Sequence, residues 1–181
     1  MRLVIISDET QRIAEPCGVC DTGECMSIIK LYVVNAFSSH PFSGNPAGVV
    51  LLKSSMDTDS DFLKKIVKES RLPEVSFISK DAASGQYKIR WFTSKTELDI
   101  CGHGTLGAAH ILFSFCEPDA HEVVFLAGRK LLCVSREGDK YRIIMPAIDA
   151  VVCEDPVEIS QVESALMPAQ KIYKGRSYLL W

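Results

Sequence analysis

The stretch that decides the fold is Gly102–Phe115, GHGTLGAAHILFSF, which follows Asp99-Ile100-Cys101. Its glycine-rich start gives way to an apolar run that covers nearly all sides of a helix. A helix that is apolar all round belongs inside a fold, where other elements surround it. We therefore predict a buried central helix over 102–115.

The segments on both sides of this helix supply strands to surround it. The β-branched run Ile28–Ala36 and the alternating run Gln86–Phe92 are typical of strands, and further strands are predicted at 47–52, 75–79, 122–126, 130–136, 141–145 and 171–181. Helical spacing predicts a helix over 57–70, capped by Asp57 or Thr58, and a short helix near 159–166. The simplest packing is an α/β (α+β) fold in which a curved mixed sheet wraps around the central helix.

Composition and charge exclude several classes of protein. The 181 residues are 47% hydrophobic and 24% charged, with a formal net charge of −3, so we expect neither nucleic acid nor a membrane surface as partner. No apolar run approaches the roughly 20 residues of a membrane span, and the start turns acidic too soon for a signal peptide. The seven cysteines are an odd number, several of them in apolar stretches, which favours reduced thiols and a cytoplasmic location.

Residues 1–27 stand apart as a predicted loose N-terminal extension. Cys17-Gly-Val-Cys20 and Cys25 could form part of a zinc site. A second C-x-x-C or C-x-x-H to complete four ligands does not follow, so we favour an extension without a metal.

Two places have residues suited to chemistry. Glu74 stands between a helix-breaking proline and an apolar strand, where a carboxylate loses solvation and can serve as an acid or base. The alternative is a solvated turn glutamate. Around Cys101-Gly-His103-Gly-Thr105, N–H groups at a helix start attract an anion, His103 can relay a proton, and the helix N-terminus favours a Cys101 thiolate. The alternative is a glycine-rich turn with a packed histidine and a buried cysteine. His110, within the helix, fits a core histidine.

Several ordered segments resemble one family. Asn35-Ala-Phe37 with Phe42–Val50 (FSGNPAGVV), Leu72–Phe77 (LPEVSF), Arg90–Thr93 (RWFT) and Glu97–His110 (ELDICGHGTLGAAH) are similar to segments of PhzF-like (phenazine biosynthesis-like) proteins. The resemblance covers roughly residues 28–181. It implies a diaminopimelate epimerase-like fold of two similar lobes, each a curved sheet around a central helix, with the active site in the cleft between them.

The resemblance also implies an activity: isomerisation or epimerisation of a small amino- or hydroxy-carboxylate, without a metal or an organic cofactor. By position, Glu74 would be the catalytic general acid/base and His103 a supporting polar residue. Asn45 and the N–H groups near Gly102, Gly104 and Thr105 would hold the substrate. The segment at Cys101 is also similar to the thiol motif of proline racemase-like and diaminopimelate epimerase enzymes, which makes Cys101 an alternative catalytic residue.

The resemblance divides the chain into the loose extension 1–27, a first lobe 28–145, and a linker with an incomplete start of a second lobe, 146–181. Because family members continue for about another lobe, we expect weak or no turnover by this chain alone. An alternative function is a non-catalytic, truncated module that pairs with another subunit through Val151-Val152 and residues 178–180. Pairing of two copies as a homodimer stays open.

Overall fold

The computed structural model describes residues 4–16, 26–38, 44–52, 59–138, 140–145, 151–165, 173–174 and 179–180. Contacts divide the chain into two compact units, Met1–Met145 and Pro146–Trp181. The strands of the first unit are β1 (Val4–Pro16), β2 (Met26–Ala36), β3 (Asn45–Leu52), β4 (Val75–Lys80), β5 (Tyr87–Phe92), β6 (Glu97–Leu98), β7 (Glu122–Ala127), β8 (Lys130–Glu137) and β9 (Lys140–Ile144). Its helices are α1 (Ser60–Ser70) and α2 (Gly102–Phe115).

Within the described residues, the strands of the first unit form one nine-stranded sheet in the order β1-β2-β3-β4-β5-β7-β8-β9, with β6 paired to β5. The β3–β4 and β5–β7 pairs are parallel and the others are antiparallel, so the sheet is mixed. Helix α2 contacts β2 and β3 as well as β8 and β9, although these two pairs lie far apart in the strand order. The sheet therefore curls around α2, which confirms the predicted architecture and the predicted bounds of this helix.

Alternation along β4 divides the core between the two faces of the sheet. Ile78 packs in the cluster around α2, whereas Val75 and Phe77 pack in the cluster that α1 covers. Helix α1 contributes three buried apolar side chains to that second cluster: Leu63, Ile66 and Val67. Because both faces are covered here, β4 is buried along nearly its whole length, and so are the polar side chains at its start.

The start of α1 differs from the prediction. The cap is Asp59, whose carboxylate accepts from the N–H of Asp61 at 3.1 Å. Asp57 and Thr58, the predicted caps, lie outside the described residues. The helix ends at Ser70. Its C-cap is Arg71, which adopts the left-handed conformation (φ 56°) common at helix C-termini.

The N-terminal part of the chain differs more from its prediction than the start of α1 does. Residues Val4–Pro16, expected to be loose, form β1 and pair antiparallel with β2. The edge of β2 offers backbone donors and acceptors, and pairing with them needs no regular side-chain pattern. The register of the β1–β2 pair shifts between Val4 and Gln11, as expected for pairing that no regular side-chain pattern fixes. The cysteines of the C-x-x-C motif and Cys25 lie outside the described residues.

The second unit contains β10 (Val151–Val152), α3 (Pro156–Ala165), β11 (Tyr173–Lys174) and β12 (Leu179–Leu180). The three short strands form an antiparallel sheet. Helix α3 begins earlier than predicted because Asp155 caps it, accepting from the N–H groups of Val157 and Glu158, and Pro156 suits the first helical position. The predicted strand over 171–181 is present as two short strands within the described residues.

Candidate active site

Glu74 is placed by the strand that it precedes. Its carbonyl accepts from the N–H of Gly48 on β3 at 3.0 Å, which ties the residue to the sheet. Its side chain is directed inward, and the residue is only 3% exposed. One carboxylate oxygen, Oε1, accepts from the hydroxyl of Ser76 at 2.9 Å. The prediction of a desolvated carboxylate is therefore favoured over that of a solvated turn glutamate.

The start of α2 is built around Cys101, which is extended and stands just before the helix. Its carbonyl accepts from both the N–H of Thr105 at 3.0 Å and the hydroxyl of Thr105 at 2.6 Å. The first turn of α2 is thereby fixed without a side-chain cap. Thr105 is fully buried and its N–H and hydroxyl are already bonded, so it supports the turn from inside.

Gly104 allows this turn to approach Glu74. A Cβ at position 104 would lie 2.5 Å from Ser76 Oγ and 2.6 and 2.9 Å from the two carboxylate oxygens of Glu74. Real Cβ atoms do not approach so closely, so only glycine fits unless the carboxylate moves. The glycine-rich sequence therefore brings the helix start against the acid, which a single side-chain carbon would prevent.

Three side chains meet at this point. His103 Nε2 lies 3.2 Å from Glu74 Oε2, and His103 Nδ1 lies 3.3 Å from Cys101 Sγ. The ligand-type atoms of Glu74, Cys101 and His103 all lie within 4.8 Å of one another. Of the described residues, this is the one group of three or more histidine, cysteine and acidic side chains close enough to share a metal ion.

One atom of this cluster has no hydrogen bond. Glu74 Oε2 is buried and lacks a hydrogen-bond partner among the described residues, because the nearby His103 nitrogen is at ion-pair distance without the alignment of a hydrogen bond. An unsatisfied buried acceptor costs about 1–3 kcal/mol. Ser79 Oγ, Trp91 Nε1 and Arg136 Nε share this state among the described residues, but Glu74 Oε2 is the carboxylate oxygen of the group and stands beside a histidine and a cysteine.

The Cys101 thiol differs from the prediction. Burial, and next the neighbouring Glu74 carboxylate, raise the pKa of Cys101 to about 12. The N–H groups of Gly104 and His103 act on the sulfur in the opposite direction, as expected at a helix N-terminus, but they are outweighed. The expectation that this position favours a thiolate is therefore wrong, and the alternative of a buried cysteine is correct.

Two further residues predicted to bind substrate are Gly102 and Asn45. Gly102 begins α2, and a Cβ there would meet Met145 Sδ at 3.7 Å, an ordinary contact. Asn45 is exposed at the first position of β3, opposite Ala36. Within the described part of the chain, no hydrogen bond or ion pair joins the Asn45 side chain to Glu74. The structure thus brings together Glu74, Cys101, His103 and Gly104.

Sequence analysis missed Ser76, although a signal was present. Successive strand residues point to opposite faces, so Ser76 shares a face with Glu74, two residues before it. A fully buried serine usually has a polar partner, which Glu74 provides for Ser76, although Ser79 on the same strand is buried without one. The pattern E-x-S leading into a buried strand therefore predicts a hydroxyl beside the carboxylate.

His110, further along α2, has the structural setting that its sequence position suggested. Nδ1 lies 2.9 Å from the Tyr141 hydroxyl, and Nε2 lies 3.4 Å from Ser114 Oγ. Burial, with a smaller contribution from the positive charge of Arg136, lowers the pKa of His110 to about 4. The imidazole is therefore neutral and partnered on both sides.

The fold is similar to that of solved proteins described as epimerases or as PhzF-family members. A solved Pseudomonas aeruginosa protein described as a predicted epimerase aligns with a TM-score of 0.57 over 75% of this chain at 21% identity, a likeness of fold alone. The crystal structure of a phenazine biosynthesis protein of the PhzF family from Enterococcus faecalis aligns with a TM-score of 0.65 at 29% identity, covering 83% of this chain and 55% of that one. The sheet curled around α2 is therefore a diaminopimelate epimerase-like lobe.

Sequence comparison gives the family. The family model described as phenazine biosynthesis-like protein (PhzC–PhzF) matches residues 34–167, and the chain belongs to this family. An uncharacterized isomerase of Pseudomonas aeruginosa is 37% identical over 153 residues, which are 84% of this chain and 56% of the relative. The chain spans about half the length of the curated relatives it matches. Among the described helices, none is long and apolar enough to cross a membrane.

Proposed function

We propose that the protein moves a proton on a carbon atom of a small amino- or hydroxy-carboxylate, with Glu74 as the general acid/base and without a metal or organic cofactor. The observation that carries the proposal is the Glu74 carboxylate, which is buried, held at one oxygen by Ser76 and unpartnered at the other. The isomerase names of curated relatives support the reaction class.

The geometry suits proton abstraction from carbon. A proton on carbon is weakly acidic, so its removal needs a base held at a fixed place from which water is excluded. Ser76 and Gly104 restrict the carboxylate, and Oε2 has no hydrogen bond to give up before it accepts a proton. His103, 19% exposed at its side chain, lies on the outer side of the cluster, where it can donate to a developing anion.

The substrate carboxylate has fewer N–H donors at the helix start than the sequence suggested. The N–H of Thr105 is bonded to the carbonyl of Cys101, and those of His103 and Gly104 act on the Cys101 sulfur. An anion at this N-terminus would therefore compete with the thiol. We propose that Asn45 and Gly102, which lie nearer the surface, take a larger share of substrate binding than Thr105.

Deuterium incorporation from D₂O into a panel of small amino and hydroxy acids tests the proposal. The test uses two proteins. One is the 181-residue chain, and the other is a chimaera in which this chain is followed by the second half of the 37% identical Pseudomonas aeruginosa isomerase. Glu74→Gln should slow exchange by about 100-fold or more, the usual contribution of a general acid/base. The matched control is Glu137→Gln, which alters an exposed glutamate paired with Arg142 and should leave exchange unchanged. Exchange by Glu74→Gln at the parent rate would contradict the proposal.

A thiol-dependent racemase or epimerase is the second candidate, favoured by the contact between Cys101 Sγ and His103 Nδ1. An imidazole at this distance can take the proton of a thiol. The raised pKa of Cys101 opposes this candidate, because a thiol near pKa 12 is a poor source of thiolate. Loss of exchange in Cys101→Ser with retention in Glu74→Gln would favour the thiol reaction.

A further inference from the structure

We propose that Glu74, Cys101 and His103 together bind one divalent cation of the Zn²⁺ type, including Co²⁺ and Cd²⁺, and that this ion blocks the site. The three side chains offer a carboxylate oxygen, a thiolate sulfur and an imidazole nitrogen, which are the ligands that zinc takes in proteins. The inhibitory consequence rests on the proposed function, whereas binding of the ion does not.

The distances fit a tetrahedral ion. Zinc binds nitrogen and oxygen at about 2.0–2.2 Å and sulfur at about 2.3 Å, so its tetrahedral ligands lie about 3.3–3.6 Å apart. His103 Nε2 lies 3.2 Å from Glu74 Oε2 and 3.9 Å from Cys101 Sγ. All three ligand atoms lie within 4.8 Å of one another, so rotation of the His103 and Cys101 side chains, without movement of the backbone, is what the proposal requires to bring them onto one ion.

The unpartnered oxygen is the second observation that points to a cation. Glu74 Oε2 is directed into the cluster, is buried and has no hydrogen bond to lose. A cation would satisfy it, while Ser76 continues to donate to Oε1 and so orients the ligating carboxylate. With Nε2 on the ion, Nδ1 of His103 carries the proton and faces away from the metal, so binding requires the ring to turn out of its present 3.3 Å contact between Nδ1 and Cys101 Sγ.

Two effects oppose binding of the ion. The thiol must lose a proton that burial and Glu74 hold on it. A bound cation reverses both causes, because it supplies positive charge beside the carboxylate and deprotonates a coordinating thiol outright. The N-terminus of α2 also repels a cation, but its partial charge of roughly half a unit acts against two full negative charges on the ligands.

The cluster is more exposed at His103 than at its other two residues. Gly104 packs against the carboxylate and closes the inner side. His103 is the most exposed of the three residues, so an ion enters past it and keeps a water molecule as its fourth ligand. An ion in this position occupies Oε2, the atom that the proposed reaction needs as a base.

Titration with Co²⁺ tests the site without reference to catalysis. The parent is the full chain with Cys17, Cys20 and Cys25 changed to serine, because these thiols could bind metal themselves. A Co²⁺–thiolate charge-transfer band should appear with one ion per chain. The band should disappear in Cys101→Ser, and Glu74→Gln and His103→Asn should each weaken binding about tenfold or more, as loss of a ligand does. The matched controls, Cys116→Ser and Cys133→Ser, change thiols outside the cluster and should keep the band.

The proposal is overturned if the parent shows no charge-transfer band or if the band persists in Cys101→Ser. Circular dichroism verifies that each variant folds, and the affinity loss in His103→Asn decides the question if Cys101→Ser does not fold. The outcomes separate the two proposals: a band without any deuterium exchange contradicts the proposed function alone. Exchange that continues at full rate with saturating Zn²⁺ overturns the blocking role.

Discussion

Helix α2 carries two histidines in contrasting surroundings. His110, in the middle of the helix, has a partner at each ring nitrogen and packs edge-on against the Tyr141 ring at 5.8 Å. His103, about two turns earlier at 3.6 residues per turn, faces a carboxylate oxygen that has no hydrogen bond. The same residue type thus serves packing at one place and remains available for chemistry at the other. The two regions differ in the atoms that face the imidazole: hydroxyls bond both nitrogens of His110, whereas the carboxylate oxygen beside His103 Nε2 has no hydrogen bond.

The first prediction compares glycines from the two regions. Gly104→Ala places a Cβ within 3 Å of the Glu74 oxygens and Ser76 Oγ, so the carboxylate must move. We expect a loss of deuterium exchange of about 100-fold, as for misplacement of a catalytic group by about 1 Å. The free energy of unfolding, measured with urea, should fall by about 1–3 kcal/mol.

Gly107→Ala is the matched control on the same helix. Its Cβ would lie 3.5–3.7 Å from Val34, Val49 and Ala47, which are ordinary contacts. Alanine is the better helix former, so this variant should keep exchange and gain up to about 1 kcal/mol in the free energy of unfolding. Equal loss of exchange in both variants would show that α2 tolerates no side chain, and that Glu74 has no special part in the effect.

The second prediction concerns the partner of His110. Tyr141→Phe removes the hydroxyl 2.9 Å from Nδ1 and leaves a largely buried nitrogen unpartnered. The free energy of unfolding should fall by about 1–3 kcal/mol, with exchange unchanged. Tyr87→Phe, which removes a hydroxyl bonded to Glu117 elsewhere on the sheet, controls for the loss of a tyrosine hydroxyl in general. A decrease in exchange in Tyr141→Phe would join the two regions that we separate.

The third prediction concerns Ser76 as a positioning residue. Ser76→Ala removes the hydrogen bond to Glu74 Oε1, so the carboxylate gains freedom to rotate. We expect kcat to fall about tenfold, the value of one charge-assisted hydrogen bond, while KM changes little. Ser76→Thr keeps the hydroxyl and should restore most of kcat, whereas a purely packing role would predict similar losses in both variants.

The fourth prediction uses pH. Burial lowers the pKa of His110 from 6.5 to about 4, so between these values the unfolded chain binds a proton that the folded chain does not. The free energy of unfolding contributed by this residue therefore falls as the pH falls from about 6.5 to 4. Urea unfolding at pH 7 and pH 4.5 should show a smaller decrease in His110→Gln than in the parent, by about 2 kcal/mol. Identical decreases would remove His110 as the cause.

The sequence predicted α2 best, because an apolar run after a glycine-rich turn has few other places in a fold. It predicted the start of α3 poorly, although Asp155-Pro156 is a recognisable cap and first helical residue. It did not predict β1, since pairing along the edge of β2 depends on backbone groups rather than on a side-chain pattern. Element existence thus follows from local pattern, whereas edge pairing requires the rest of the sheet.

In the candidate site, too, some features were predictable from local sequence and others were not. Glu74, His103 and Gly104 were identified from local sequence and the family resemblance, and the fold brings them together. The sequence left Cys101 open between a thiolate and a buried cysteine; burial, and next a carboxylate from a distant part of the sequence, decide for the protonated thiol. Thr105 was expected at the substrate, yet its hydroxyl is used inside the turn. Hydrogen-bond and charge partners, one local and one across the fold, decide these roles rather than residue type.

The most direct test measures deuterium exchange and urea unfolding together for Glu74→Gln and His110→Gln, in whichever chain length shows exchange. Glu74→Gln should lose exchange by about 100-fold or more and keep its free energy of unfolding, since it neutralises a buried, partly unpartnered carboxylate. His110→Gln should keep exchange and lose about 1–3 kcal/mol of stability. Exchange at the parent rate by Glu74→Gln, or loss of exchange in His110→Gln alone, would contradict the assignment of the chemistry to the N-terminal end of α2.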